Sequence, residues 1–332
     1  MTPPTKSQGA SNLRTSRGRR IFQESLLAWY DRNARDLPWR STRDPYRVWL
    51  SEIMLQQTRV AAVLDHYARF LKRFPTIEKL AAAREPSVLA AWSGLGYYRR
   101  ARMLQAAAKK IVRERGGNFP ATSGGLRALP GIGRYTSAAI ASIAFNEPVP
   151  VVDGNVERVL QRLMGKPLAE RESWQTAGTL LSRERPGDFN QAMMELGATV
   201  CLPRQPLCLL CPVMEFCRTR GRGAEGRKRV RQHKREIHYA LNCRNGSVLL
   251  VKRPGDATLM PGMWELPEST ADAANAQPEM RLSHSITVTD YTVLVARGEV
   301  QEPAGQWVPK SRLRKLPLTG LARKILRAAE IM

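Results

Sequence analysis

From Ile21 to about Phe216 the apolar residues recur with a helical period. Val60, Val63, Leu64, Tyr67 and Leu71 fall at i, i+3, i+4, i+7 and i+11, a single stripe with Thr58 placed to cap it. Beyond Tyr239 the period drops to two. Tyr239, Leu241 and Cys243 alternate, Asn245-Gly246 predicts a hairpin turn, and Val248 to Val251 supplies the return strand. Ile286, Val288, Tyr291, Val293 and Val295 predict further strands, and Leu321, Ile325 and Ala329 a closing helix after Thr319. The pattern predicts an all-α domain over residues 21–217 and an α+β domain over 237–332. Between them RTRGRGAEGRKRVRQHKR, with nine Lys or Arg against one Glu and almost nothing apolar, reads as a basic linker at 218–236. One helical segment breaks its own pattern. VWLSEIMLQQT, from Val48 to Thr58, sets Glu52 in the middle of an apolar run. A partly buried Glu is ordinarily paired, and Arg47 and Arg59 are in sequence reach.

Length and charge add a partner. A chain of 332 residues exceeds one typical domain, and a formal charge of +24 points to a polyanion, either nucleic acid or an acidic membrane surface. No apolar run approaches membrane-spanning length and no secretory pattern is present, so a soluble, cytoplasmic, monomeric protein is expected. Residues 1–20 hold five basic groups and no acid and read as a disordered basic arm; a mitochondrial transit peptide would need an apolar face that is missing. Four of the five cysteines, Cys201, Cys208, Cys211 and Cys217, crowd into CLPRQPLCLLCPVMEFC. Two disulfides suit exported chains, and four converging thiolates suit either zinc or an iron–sulfur centre; spacing leaves that choice open. The fifth, Cys243, reads as a small buried residue in a strand.

Candidate chemistry lies in two further segments. ALPGIGRYTSAAIASIAF, Ala128 to Phe145, puts Gly131 and Gly133 just before an Ala-rich helix, where backbone N–H groups approach a ligand and the helix start is positive. This segment, within about 126–145, resembles the helix-hairpin-helix motif, a phosphate-binding device without sequence preference. PVPVVDGNVERVLQRL places Asp153 at a turn before a helix, where an Asp cap is the ordinary explanation. Together with Glu52 it acquires another. Cleaving a bond to an anomeric carbon needs an acid for the leaving group and a negative charge beside the oxocarbenium ion. An acid in apolar surroundings holds its proton at neutral pH, whereas one at a solvated turn stays ionised. Glu52 and Asp153 match those two descriptions.

The hairpin, an Asp about twenty residues later and the cysteine spacing together resemble the iron–sulfur branch of the endonuclease III superfamily of DNA glycosylases. LPWR at Leu37 to Arg40, SEIMLQQT at Ser51 to Thr58, GLGYYRRAR at Gly94 to Arg102, VDGNVERV at Val152 to Val159 and NQAMMELGA at Asn190 to Ala198 resemble its MutY family of adenine glycosylases. The resemblance implies one [4Fe–4S] cluster on the four cysteines. It implies Glu52 as the acid that protonates adenine, and Asp153 as the carboxylate that stabilises the sugar cation, assisted by Tyr135 and Asn155. Leu37, Trp39, Arg40 and Glu195 would line the adenine pocket. Gln56 and Gln57 would probe the duplex, and Tyr97 would wedge into the base stack, because an adenine must leave the duplex to be reached. Tyrosine at 135, where strand-cutting relatives carry lysine, implies base removal without efficient strand cleavage.

RPGDATLMPGMWELPE, Arg253 to Glu268, resembles the opening of a Nudix-type fold, but STADAANAQPEM follows where the metal-binding helix should be, so no hydrolase is expected. The family uses such a domain to recognise 8-oxoguanine. RLSHSITVTDY, Arg281 to Tyr291, resembles the recognition loop, with Ser283 and His284 in place and Leu282 standing where an aromatic is usual. The implied partner is double-stranded DNA with an A:8-oxoguanine or A:G mispair at a bacterial nucleoid, with repair or replication proteins on the basic linker. Two rivals are a lyase for oxidised pyrimidines, which needs the absent lysine, and a silent DNA-binding or redox-sensing protein, for which both carboxylates would be accidental.

Overall fold

The computed structural model describes residues 13–221, 233–269, 278–286, 289–297 and 305–332. Its helices in chain order are α1 Ser16–Asn33, α2 Pro45–Leu55, α3 Val60–Arg73, α4 Ile77–Ala82, α5 Glu85–Trp92, α6 Arg99–Arg115, α7 Ser123–Arg127, α8 Arg134–Phe145, α9 Gly154–Met164, α10 Glu170–Leu180, α11 Pro186–Thr199, α12 Lys310–Leu313 and α13 Gly320–Ala328. Packing does not follow chain order. The chain divides into two compact units, Met1–Gln57 with Arg113–Arg227, and Thr58–Val112 with Lys228–Met332.

In the first unit α1, α9 and α11 enclose a core that includes Phe22, Leu26, Val156, Leu160, Phe189 and Leu196, closed at one end by Phe216 from the cysteine segment. Phe22 meets Phe216 edge-on at 5.6 Å between ring centroids. Helix α2 starts on Pro45 behind Asp44, whose carboxylate accepts from the Tyr46 N–H at 2.9 Å, and it packs on α8. Part of the stretch expected to be a disordered basic arm is described, and it is helical from Ser16. Leu13 is buried in the core, Thr15 caps α1 through the Gly18 N–H, and Arg19 donates to the carbonyls of Leu13 and Arg14. Residues 1–12 lie outside the described residues. Two glycines on α11 permit close helix approach: a Cβ on Gly187 would lie 2.5 Å from the Ser142 carbonyl oxygen, and one on Gly197 2.6 Å from the Asn155 Cβ.

In the second unit α3 carries the predicted stripe, with Val63, Tyr67 and Phe70 buried, but its N-cap is Arg59, with no side-chain cap bond, and not Thr58. The C-terminal part holds two sheets. One has strand order β1-β6-β5, with β1 (His233–Ala240) parallel to β6 (Thr289–Ala296) and β5 (Met280–Ile286) antiparallel to β6. In the other, β3 (Ser247–Lys252) pairs antiparallel with β2 (Cys243–Arg244), β4 (Trp264–Glu265) and β7 (Gly305–Pro309). The predicted hairpin joins β2 to β3 through Asn245 and Gly246, both at positive φ. Thr319 caps α13 by accepting from the Ala322 N–H, and Leu321, Ile325 and Leu326 bury against the sheet core. Cys243 is exposed, not buried, because β2 is only two residues long and ends at the turn. Of the linker, Arg218 and Thr219 donate their N–H groups to carbonyls of α9, and His233 already belongs to β1; residues 222–232 lie outside the described residues. So do Val288 and residues 270–277.

Replacing Gly197 with Ala forces its Cβ onto Asn155. Such overpacking costs about 1–3 kcal/mol, so Gly197→Ala is expected to lower the thermal unfolding midpoint, whereas Ala at the open helical position Gly124 is expected to leave it unchanged or raise it.

Candidate active site

Glu52 sits on α2, which turns its apolar residues inward and takes the carboxyl group with them; the side chain is 6% exposed. Neither arginine expected to pair with it does so: Arg47 faces Asp44 at 3.5 Å, and the hydrogen bond recorded for Glu52 comes from the Tyr135 hydroxyl, which donates to Oε2 at 2.8 Å. Burial pushes the Glu52 carboxyl up to about 7; the Tyr135 bond and the Arg40 charge oppose that, and the Asp153 charge adds to it. Tyr135 stands on the first turn of α8, immediately after the hairpin, and its hydroxyl also reaches the Met194 sulfur at 3.4 Å. Burial and the two acids hold that phenol well above its ordinary pKa, so it remains a donor.

Asp153 is the N-cap of α9. Its Oδ1 accepts from the N–H groups of Asn155 and Val156 at 2.9 and 2.7 Å, and its Oδ2 from the Asn155 side chain at 3.0 Å. The solvated turn expected here is instead partly closed, and burial raises the Asp153 pKa against these bonds and the Arg158 charge. Arg158, not anticipated from the sequence, donates to the Asn155 Oδ1 at 2.9 Å, the Gly197 carbonyl at 2.7 Å and the Cys201 carbonyl at 2.9 Å.

Beside the two carboxylates lies a polar lock. Glu195, 1% exposed on α11, accepts from Arg35 at 2.7 and 2.6 Å and from Arg40 at 2.7 Å. Burial pushes its carboxyl up, but the two guanidiniums outweigh burial and hold it down to about 2. Arg40 also lies over the Tyr30 ring at 5.4 Å, and Leu37 and Trp39 are buried within the same turn. Arg35 escaped notice because a basic residue four positions before Trp-Arg carries no spacing signal of its own. Gln56 donates to Thr136 at 3.3 Å, and the next residue, Gln57, is exposed and left-handed at φ 55. In the hairpin Gly131 has φ 73, while Gly133 caps α8 and offers no side chain to the first N–H groups of that helix.

Within the second unit Tyr97 is 47% exposed at φ 47, between Gly96 at φ 70 and the buried Tyr98. The Arg100 guanidinium lies 5.4 Å from the Tyr97 ring and 5.5 Å from Trp92, and it donates to the carbonyls of Leu95 and Gly96. A non-glycine residue at positive φ is uncommon and costs about 1 kcal/mol or more, so Tyr97 is held outward against its own preference and is not core packing. Ser283 and His284 lie in strand β5, paired with Thr292 and Tyr291, and not in a loop. Burial and the nearby Lys324 lower the His284 pKa.

The four clustered cysteines are free thiols, and Cys201, Cys211 and Cys217 pack against the α1/α9/α11 core. Arg162 of α9 donates to the Cys201 sulfur at 3.2 Å and to the carbonyls of Leu202 and Pro203 at 2.7 and 2.8 Å, and the Arg220 N–H points at the Cys217 sulfur at 3.4 Å. Among the described residues no set of His, Cys, Asp or Glu is drawn together as a metal site in this arrangement.

A hairpin that feeds a helix start, a buried acid across from it and a carboxylate-capped helix define a helix-hairpin-helix glycosylase fold. Residues 50–174 match the family described as the HhH-GPD superfamily base excision DNA repair protein. A solved thermostable thymine-DNA glycosylase superposes with a TM-score of 0.57 at 31% identity over 60% of this chain and 94% of that one. The chain belongs to the HhH-GPD superfamily of base excision DNA repair proteins. An endonuclease III trapped on DNA shares the fold, with a TM-score of 0.53 at 24% identity over 65% of this chain and 97% of that one. Among curated proteins the adenine DNA glycosylase of Mus musculus is 42% identical over 315 residues, 76% of this chain and 61% of its own length. That of Homo sapiens is 50% identical over 216 residues, 60% of this chain and 40% of its own length. The chain thus spans between 40% and 61% of the length of these two relatives.

The raised Glu52 pKa has a stability consequence. Below about pH 4.5 the group is protonated folded or unfolded; as pH rises toward about 7 only the folded chain keeps the proton, and folding loses stability through that window. Glu52→Gln removes the titration. The variant is expected to gain on the wild type between these pH values, by up to about 3 kcal/mol, with the difference level above pH 7. Thermal unfolding against pH reads this directly, and parallel curves would show that Glu52 titrates normally.

Proposed function

We propose that this protein is a monofunctional adenine DNA glycosylase acting on adenine opposite 8-oxoguanine. The observation that carries the proposal is Glu52: a buried carboxyl group with a hydroxyl donor and, among the described residues, no ion pair, on which the charge of Asp153 acts. Such an acid is protonated near neutral pH and can give its proton to a leaving base. The bond from C1′ to the adenine nitrogen breaks with its electron pair leaving on the base, which takes the Glu52 proton. Asp153 stays anionic because three N–H donors bind that form, and it stabilises the sugar cation, directly or as a short-lived ester. Water then adds to C1′ and its proton returns to Glu52.

Leu37, Trp39 and Arg40, with Glu195 fixing Arg40, make the wall of the adenine pocket. Gln56 and Gln57 contact the opened duplex, Tyr97 supplies the wedge, and the N–H groups after Gly131 and Gly133 hold a backbone phosphate. Tyr135 bonds Glu52 and offers no amine, so no Schiff base forms and the product is an intact strand with an abasic site. In the C-terminal part, read as a Nudix-like domain without its metal, Leu282, Ser283 and His284 contact the 8-oxoguanine. The partner is mispaired duplex DNA, bound by a monomer.

Cys201, Cys208, Cys211 and Cys217 fit the thiolate ligands of one [4Fe–4S] cluster. They are unbridged, they sit within one segment, and three of them pack against the same core. When bound, such a cluster would cross-link the cysteine segment through these four side chains.

Single-turnover cleavage of duplexes with adenine opposite 8-oxoguanine, guanine or thymine, with and without alkali, tests the reaction. Alkali-dependent product is expected, fastest opposite 8-oxoguanine, and slower by about 10²–10⁴-fold in Glu52→Gln. Alkali-independent strand cuts, or an unchanged rate in the variant, would refute the mechanism. For the cluster, anaerobically purified protein is expected to be brown with about four irons per chain, and Cys211→Ala to lose them; stoichiometric zinc in the colourless wild type would show the other metal.

A further inference from the structure

A cavity of about 320 Å³ in the second unit is lined by five arginines: Arg69 and Arg73 from α3, Arg314 beyond α12, and Arg323 and Arg327 from α13. Its remaining lining is Ala90, Ala91, Ser93 and Met332, with no Asp or Glu. Among the described residues none of the five guanidiniums has an acidic partner. Arg69 donates its Nε to a backbone carbonyl, and Arg73 lies over the Phe74 ring at 5.6 Å.

Arg323 is the most enclosed of the five. Its Nε donates to Ser93 Oγ at 3.0 Å, and Ser93 in turn donates to the Leu318 carbonyl at 2.8 Å, which fixes the plane of the guanidinium. The Arg323 Nη2 is buried with no hydrogen-bond partner. A buried donor without an acceptor is costly, and the charges of Arg69 and Arg327 act on the same group. Two i,i+4 arginine pairs on facing helices around one hollow raise the free energy of the empty site and lower it for any tetrahedral oxyanion that accepts from several forks together.

We propose that this cavity is a phosphate-binding site, taking either a backbone phosphate of a DNA strand or the phosphates of a free nucleotide or pyrophosphate. The choice of phosphate over carboxylate follows from the number of donors. Five guanidiniums exceed what two carboxylate oxygens can accept, whereas a phosphate offers three or more oxygens in different directions. A volume of about 320 Å³ sits at the small end of ligand sites and suits a phosphate group better than a folded peptide. The site is independent of the glycosylase reading, since none of its residues belongs to that chemistry.

Thermal unfolding and calorimetry of the full chain with sodium pyrophosphate, at constant ionic strength, test it. Wild type is expected to bind and to unfold at higher temperature. Arg323→Gln and the rim variant Arg69→Gln, whose side chain is exposed, are expected to bind at least tenfold more weakly, while Arg113→Gln, outside the cavity lining, is unaffected. Duplex DNA titrated over a salt series separates the sources. A salt slope reduced by about one per arginine removed, with pyrophosphate competing, identifies a DNA phosphate; unchanged slopes with pyrophosphate binding lost identify a free phosphate compound. If wild type binds no pyrophosphate and the salt slope is the same in both variants, the proposal is overturned.

Discussion

The site depends on keeping one carboxyl group in an apolar lattice without an ionic partner. An arginine beside Glu52 would lower its pKa and leave it a permanent anion, as Arg35 and Arg40 do to Glu195 a short distance away. The two glutamates are both buried, yet their carboxyl groups are held at about 7 and about 2. Burial acts upward on each. The difference is the donor: a neutral phenol for Glu52, two guanidiniums for Glu195. Hydrogen bonding by a neutral group orients a carboxyl without forcing it to ionise, while charge-assisted bonds fix it as an anion. One set of helices thereby carries a proton donor and a permanent anion side by side.

Much of this was legible in the sequence because it is local. The Asn-Gly turn, the Thr319 cap and the Asp153 cap are each decided within about five residues, and each holds, while the stripe on α3 holds at Val63 and Tyr67. The acid at Glu52 was legible for the same reason, since a charge inside an apolar run is visible at once. What surrounds it was not. The donor to Glu52 lies 83 positions away and the locks on Glu195 lie 155 and 160 away, and chain distance carries no pairing signal. Thr58 and Arg59 compete for one cap, and there the better capping residue loses. Cys243 alternates correctly with its neighbours but stands on a strand too short to bury it. The division of the chain into interleaved units is likewise invisible to periodicity, because helices of both units share the same 3.6-residue repeat.

Asp153 shows how one residue serves stability and chemistry together. Its cap bonds supply donors to the carboxylate while the side chain is partly closed off from solvent, so the start of α9 opposes the upward push of burial on its pKa. The arrangement needs α9 to start where it does. Gly197 fixes that, since only a residue without a Cβ lets α11 come so near Asn155.

From Asn155 the constraint runs on through Arg158 to the Gly197 and Cys201 carbonyls, and Arg162, one turn later on α9, grips the Cys201 sulfur and the Leu202 and Pro203 carbonyls. Two arginines on one face of one helix therefore tie the first cysteine of the segment to the side chain that orients Asp153. Neither guanidinium meets a carboxylate in these contacts; Arg158 satisfies the Gly197 carbonyl in the last turn of α11, and both bond carbonyls of the segment that follows it. Because a guanidinium is rigid and planar, moving the Cys201 carbonyl means moving Arg158, and with it the amide that holds Asp153 Oδ2. The geometry of the carboxylate is set as much by how the cysteine segment is held as by the helix it caps.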